Sequence, residues 1–176
     1  MGTVIIEGYL VQGKLEDALR MIVGNDCWRG REIRLPVGRR RWDMSYDIDG
    51  KVAVVEFDGD EHYRNTLKIK ADREKDVIAR EHSFRVVRIP YWVQLTSETL
   101  KYYFNLDAEI RQDFPHGFIS TKIFPASFCP LGIQRFEREL QALPMQVRQA
   151  VVKSLHDRSI EHGQKYVVPM ELMHLL

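Results

Sequence analysis

The sequence predicts an α/β fold in which a mixed β-sheet is covered by helices on both faces and followed by a helical C-terminal extension. Three observations carry this reading. The apolar period alternates between strand-like and helix-like along the chain. The elements so defined run helix, strand, strand, strand, helix, strand, helix. Beyond residue 107 only connections and amphipathic helices remain. With 176 residues, of which 44% are hydrophobic and 29% charged, the chain can bury one full core. One domain with an appendage is expected, as a core over residues 1–113 and a helical extension over 114–176.

The elements follow in order. In residues 14–23 (KLEDALRMIV), Leu15, Ala18, Leu19 and Ile22 share one helical face, and Gly24-Asn25 supplies a stop. Residues 32–37 and 41–48 alternate as strands. Asp49-Gly50 is the dipeptide of a two-residue type I′ hairpin turn, so residues 51–57 return as its partner strand. Residues 64–82 lose the alternation and carry Leu67, Ala71 and Ile78 at helical spacing. RVVRI at 85–89 is a strand closed by Pro90, and Ser97 caps a helix running to Phe104. A Phe- and Pro-containing connection over 114–132 leads to helices over 133–143 and 145–157. Ile133, Phe136, Leu140 and Leu143 line one apolar stripe, and Val147, Val151 and Leu155 another. These stripes must pack on the core, recognise a target or form a homodimer.

Bulk composition narrows the function classes. A net charge of +1 excludes a global field for nucleic acid, so such a surface would have to come from local Arg and Lys clusters. Cys27 and Cys129 fall in no CxxC pattern and read as reduced thiols, which argues against a zinc site. No membrane-length apolar run and no signal peptide is evident, and a cytoplasmic protein is expected.

The stretch KVAVVEFDGDEHYRNT (51–66) ends a buried-looking strand in Glu56, Asp58, Asp60, Glu61 and His62. Burying ionised carboxylates without a partner costs several kcal/mol, so something positive is expected there. Counting outward from the turn sets Ile48 opposite Lys51 and Asp43 opposite Glu56. Opposed carboxylates repel unless one is protonated or a cation lies between them. Asp58 returns to the same face by alternation, and three acidic side chains at one sheet edge suit magnesium or manganese. Asp72 and Lys75 share a helical face, either as an ordinary ion pair or as part of this site. His62 stands near enough to exchange a proton with a metal-bound water. Arg39, Arg40 and Arg41, with Arg29 and Arg31 nearby, lead directly into Asp43. They form either a solvated loop or a phosphate grip that Lys68, Lys70 and Arg73 would extend. Tyr91 and Trp92 read as packing residues, with base stacking as the alternative.

RWDM at 41–44, VVEFDGDEHY at 54–63, DREK at 72–75 and RVVRIPYWVQL at 85–95 together resemble the PD-(D/E)XK nuclease superfamily. The nearest branch is similar to very-short-patch-repair endonucleases and small restriction and phage endonucleases. The resemblance covers residues 15–95 and implies a restriction-endonuclease-like sheet. Carried over by position, it makes Asp43 and Glu56 metal ligands and Glu16 the acidic residue of the first helix. Asp58 stands where the family motif has its lysine. The branch offers two remedies, a histidine beyond the strand, matched by His62, or a lysine from the next helix, matched by Lys75. His62 is the first choice. The resemblance therefore implies a Mg2+-dependent (or Mn2+-dependent) endonuclease acting on DNA in restriction or a restriction-like role, with Asp43, Glu56, Asp58, His62 and Lys75 as its catalytic group. The alternatives are a nuclease-fold module that grips nucleic acid without cutting it and a partner-binding protein whose C-terminal helices do the work.

Overall fold

The computed structural model describes residues 3–34, 41–48, 50–118 and 123–176, with backbone alone for 31–34. Arg39, Arg40, Asp49 of the expected turn and residues 35–37 of the first expected strand lie outside the described residues. The elements are β1 (Val4–Ile6), α1 (Gln12–Val23), β2 (Trp28–Arg34), β3 (Arg41–Ile48), β4 (Lys51–Asp58), α2 (Glu61–Arg64), α3 (Thr66–Glu81), β5 (Arg85–Pro90), α4 (Ser97–Phe104), β6 (Ile110–Gln112), α5 (Pro130–Ala142), α6 (Met145–His162) and α7 (Gln164–Val167), with short 3₁₀ turns at Pro125–Ser127 and Met170–Leu175.

Strands β2-β3-β4-β5 form one sheet in that order, antiparallel at the first two junctions and parallel between β4 and β5. This is the expected mixed sheet. Its two faces are covered by different helices. Leu15, Ala18 and Leu19 of α1 pack with Met44, Tyr46, Val55 and Val87 on one face, and Ala79 of α3 packs with Trp42 and Val54 on the other. A separate parallel pair, β1 with β6, lies outside this sheet. Each of its strands spans three residues, too short for a periodic signal.

Helix α1 starts two residues earlier than expected, α5 three earlier and α6 runs five further, and two other differences have clear local reasons. Strand β2 starts at Trp28, earlier than predicted, because it is an edge strand, and edge strands tolerate the charges of WRGREIR that hide the alternation. The single helix expected over 64–82 is split at Asn65. Its backbone is extended, and its Oδ1 accepts from the Leu67 and Lys68 amides (3.0 and 3.2 Å), capping α3.

The C-terminal helices pack on the end of the sheet. Tyr63, Tyr91 and Trp92 share a core with Phe118, Phe128, Phe136 and Leu155, so residues on both sides of position 114 fill one aromatic cluster. Tyr63 stacks on Phe128 with ring centroids 4.9 Å apart, and Trp92 meets Phe136 edge-on at 4.7 Å. Helix α5 begins with Pro130, and the Cys129 amide just before it donates to the Tyr63 carbonyl (3.1 Å). Cys27 and Cys129 are free thiols. Among the described residues, no helix is long and apolar enough to cross a membrane.

The seam between α2 and α5 has no slack at Gly132, where a Cβ would stand 1.7 Å from the Tyr63 carbonyl oxygen. Gly132→Ala should therefore lower unfolding stability by about 3 kcal/mol. Gly13, in α1, has open space around a Cβ, and Gly13→Ala should raise stability by about 0.5–1 kcal/mol. Urea titration of the two variants beside the wild type checks both signs.

Candidate active site

The hairpin register runs as counted, from Ile48↔Lys51 to Met44↔Val55. The ladder then changes character. The Phe57 amide donates to the side chain of Asp43 (N to Oδ2 2.9 Å). Trp42 packs on the α3 face whereas Met44 and Tyr46 pack on the α1 face, so the alternation of β3 is broken at Asp43. Beside it, the buried carboxylate of Glu56 accepts from Lys75 Nζ on both oxygens, each at 2.7 Å. Lys75 comes from the buried face of α3, and its ammonium lies 4.3 Å from the centroid of the Trp42 ring, close enough for a cation–π contact.

The electrostatics of this group are incomplete. Burial pushes the Asp43 carboxyl up, against the pull of the Phe57 amide and of Lys75. Burial likewise pushes Glu56 up, and Lys75 only partly offsets it. Two carboxylates facing one ammonium favour a further cation.

Asp58, two residues on, is in the opposite condition. Its Oδ1 accepts from Arg88 Nη1 (2.7 Å) and its Oδ2 from Arg135 Nη2, while His62 Nδ1 stands 2.9 Å from Oδ1. His62 Nδ1 also lies 2.6 Å from Asp72 Oδ2. Arg135 donates further to Asp72 Oδ2 (3.0 Å), the His62 carbonyl (3.1 Å) and Glu139 Oε1 (2.7 Å). Arg88 Nε reaches Asp76 (2.9 Å), and the Tyr63 hydroxyl donates to Glu139 (2.6 Å). Burial alone would raise the Asp58 carboxyl, but Arg88 and Arg135 hold it well below the usual carboxylate range. Burial disfavours charge on His62 too, yet the carboxylates of Asp58 and Asp72 outweigh it and push its pKa up to about 9.

Asp58, His62 and Asp72 lie close enough together to hold an ion. Both Asp58 oxygens are nevertheless taken by guanidinium groups, which an ion would have to displace. The expected edge of three carboxylates thus reduces to the pair Asp43 and Glu56, because Asp58 turns to its arginines. Asp72 and Lys75 do not pair with each other. One joins His62 and Arg135, the other Glu56. Glu16 is buried on α1, and burial and its charge together push up the Tyr46 hydroxyl. Tyr46 is three residues from Asp43, about 10 Å along β3. Arg41, at the start of β3, is exposed, as are Lys68, Lys70 and Arg73 on α3.

Three participants escaped the sequence reading. Arg88 left a trace, since an arginine inside the apolar run RVVRI needs a buried acid. Trp42 lies within RWDM but was assigned no role. Arg135 gave no local signal.

The raised pKa of His62 has a pH consequence. Its contribution to stability is complete below the unfolded value of 6.5 and is lost as pH rises through about 9. Unfolding free energy should fall over that window by an amount on the order of 3 kcal/mol. His62→Gln should lower stability overall and remove the pH step. A step that survived the substitution would belong to another group.

Compared with known protein families, curated proteins and solved structures, the chain finds no match in any of the three.

Proposed function

We propose that this chain is a metal-dependent endonuclease of the PD-(D/E)XK type, with a restriction-endonuclease-like core, that hydrolyses phosphodiester bonds in DNA in a restriction or restriction-like role. The order α1-β2-β3-β4-α3-β5 and the mixed sheet support the resemblance on which this rests. One observation carries it furthest. Lys75 from the next helix meets both oxygens of Glu56 at 2.7 Å, beside Asp43, although the motif's own lysine position is occupied by Asp58.

Asp43 and Glu56 would hold Mg2+ or Mn2+, since magnesium is commonly bound through one or two carboxylates, with waters and substrate phosphate completing its shell. When bound, the ion supplies Lewis-acid polarisation of the phosphate and lowers the pKa of the attacking water. The upward pressure on both carboxyls in its absence supports a site that favours added positive charge. Lys75, supported from below by the Trp42 ring, is the group to orient the attacking water and steady charge on the phosphate. His62 suits proton transfer less well than its position in the sequence suggested. Its Nδ1 is committed to two buried carboxylates, and its charge is needed there. Arg41, Lys68, Lys70 and Arg73 supply exposed cations for phosphate contacts. Glu16, buried on α1 and the acidic residue of the first helix, would be the further ligand that the resemblance implies.

Plasmid cleavage with Mg2+ and with chelator tests the reading. Asp43→Asn and Glu56→Gln should abolish cleavage while the fold persists, and titration with Mn2+ should show metal binding lost. Lys75→Ala should lower the single-turnover rate on the order of 10²-fold, more than His62→Gln does, with little change in DNA affinity. Salt-dependent DNA binding without any cutting would leave the binding-module alternative standing. Cleavage at the wild-type rate by the Asp43→Asn, Glu56→Gln double variant would end the proposal.

A further inference from the structure

The geometry points to Arg135 as the positioning residue for Lys75, so that a helix beyond the predicted nuclease core completes the candidate active site. This inference rests on the nuclease reading and extends it to the C-terminal part of the chain. Arg135 lies on α5, between 63 and 77 residues further along than the groups it meets in the network around Asp58. Its side chain is 4% exposed, and its Cζ lies 4.8 Å from the Tyr63 ring centroid. From that fixed place, one planar fork of donors reaches three elements, namely Asp58 at the end of β4, the His62 carbonyl on α2 and Asp72 on α3.

Two of those contacts govern the Lys75–Glu56 pair from both sides. Asp72 and Lys75 are three residues apart on the buried face of α3, so the grip on Asp72 sets the height and rotation at which Lys75 emerges. Asp58 follows Glu56 by two residues on β4, so the grip on Asp58 fixes the strand that presents Glu56. The same guanidinium thus ties the lysine and its carboxylate to one frame. Arg88 on β5 also joins Asp58 to α3, through Asp76 (2.9 Å) and Asp72 (3.5 Å), so it shares the tie between β4 and α3. What Arg135 adds is the grip from α5 on the second oxygen of each of Asp58 and Asp72 and on the His62 carbonyl. A lysine at 135 would keep the charge and lose the span, because a single ammonium cannot reproduce the fork. The C-terminal helices are therefore part of the catalytic frame and not a detachable recognition module.

The test uses full-length Arg135→Lys and Arg135→Gln beside the wild type, each first checked for cooperative unfolding well above the assay temperature. The first readout is the 15N resonance of the Lys75 ammonium, assigned by its loss in Lys75→Arg. The second is single-turnover cleavage at saturating DNA with Mg2+, alongside DNA affinity. In Arg135→Lys the hydrogen-bonded ammonium signal should be lost to fast exchange. The cleavage rate should fall on the order of 10²-fold, as displacement of a reacting group by about 1 Å can produce. DNA affinity should stay within about threefold, a split that general destabilisation would not give. If Arg135→Gln fails to fold, Arg135→Lys carries the test. A folded Arg135→Lys with the Lys75 resonance and rate of the wild type overturns the inference. If the wild type cuts no DNA, the nuclease reading falls, and the resonance alone still decides whether Arg135 holds Lys75.

Discussion

Glu56 and Asp58, two residues apart at the end of an interior strand, are both buried, and the rest of the molecule is arranged around what that burial demands. An ionised carboxylate removed from water must be met by cations and donors of good geometry or it costs several kcal/mol. No single element supplies them. Lys75 arrives from α3, Arg88 from β5, His62 from α2 and Arg135 from α5. The packing of these helices against the sheet end is therefore as much an electrostatic requirement as an apolar one. The tight seam at Gly132 is the apolar side of the same junction.

The two carboxylates are nevertheless treated in opposite ways. Asp58 is held firmly ionised by two guanidinium groups and a histidine, with neither oxygen left over. Glu56 and its neighbour Asp43 are pushed toward protonation by burial, which the single ammonium held by Glu56 only partly offsets. Environments that drive neighbouring acids apart separate structural from chemical duty. The saturated group is a frame, and the undersaturated pair is where a further cation gains most. This division reassigns His62, which belongs to the frame despite standing close in sequence to both groups.

Local information reached far along this chain. Strand β3 spans Arg41–Ile48 and α4 spans Ser97–Phe104, both as expected, because alternation and capping act within a few residues. The cap itself is Thr96, in a reciprocal box with Thr99, and not the expected Ser97, whose hydroxyl instead accepts from the Ile110 amide. The hairpin register followed from the turn alone. What stayed hidden was decided at long range or by a single residue. The break in β3 is marked only by an aspartate that captures the Phe57 amide. The demand for positive charge beside Asp58 was legible from burial, but whether an ion or the protein itself would meet it was not. An arginine 77 residues away leaves no periodic trace. For the same reason Asp58, which alternation placed with Asp43 and Glu56, was read as part of the chemistry.

That separation has a bearing on how the chain reaches its native state. The β3–β4 hairpin is a local structure that can form as soon as its residues are available, on a timescale of microseconds. Its end, however, cannot be desolvated cheaply until Arg135 has been made and docked. During vectorial synthesis the sheet would wait, with Asp58 still hydrated and the aromatic surface of Tyr63 and Trp92 still open. Arg88 and His62 can meet Asp58 earlier, but its second oxygen and that aromatic surface gain their remaining partners only from α5 and the segments around it. The ion pair that holds the finished frame thereby makes the burial of the sheet end depend on residues synthesised well after the sheet itself.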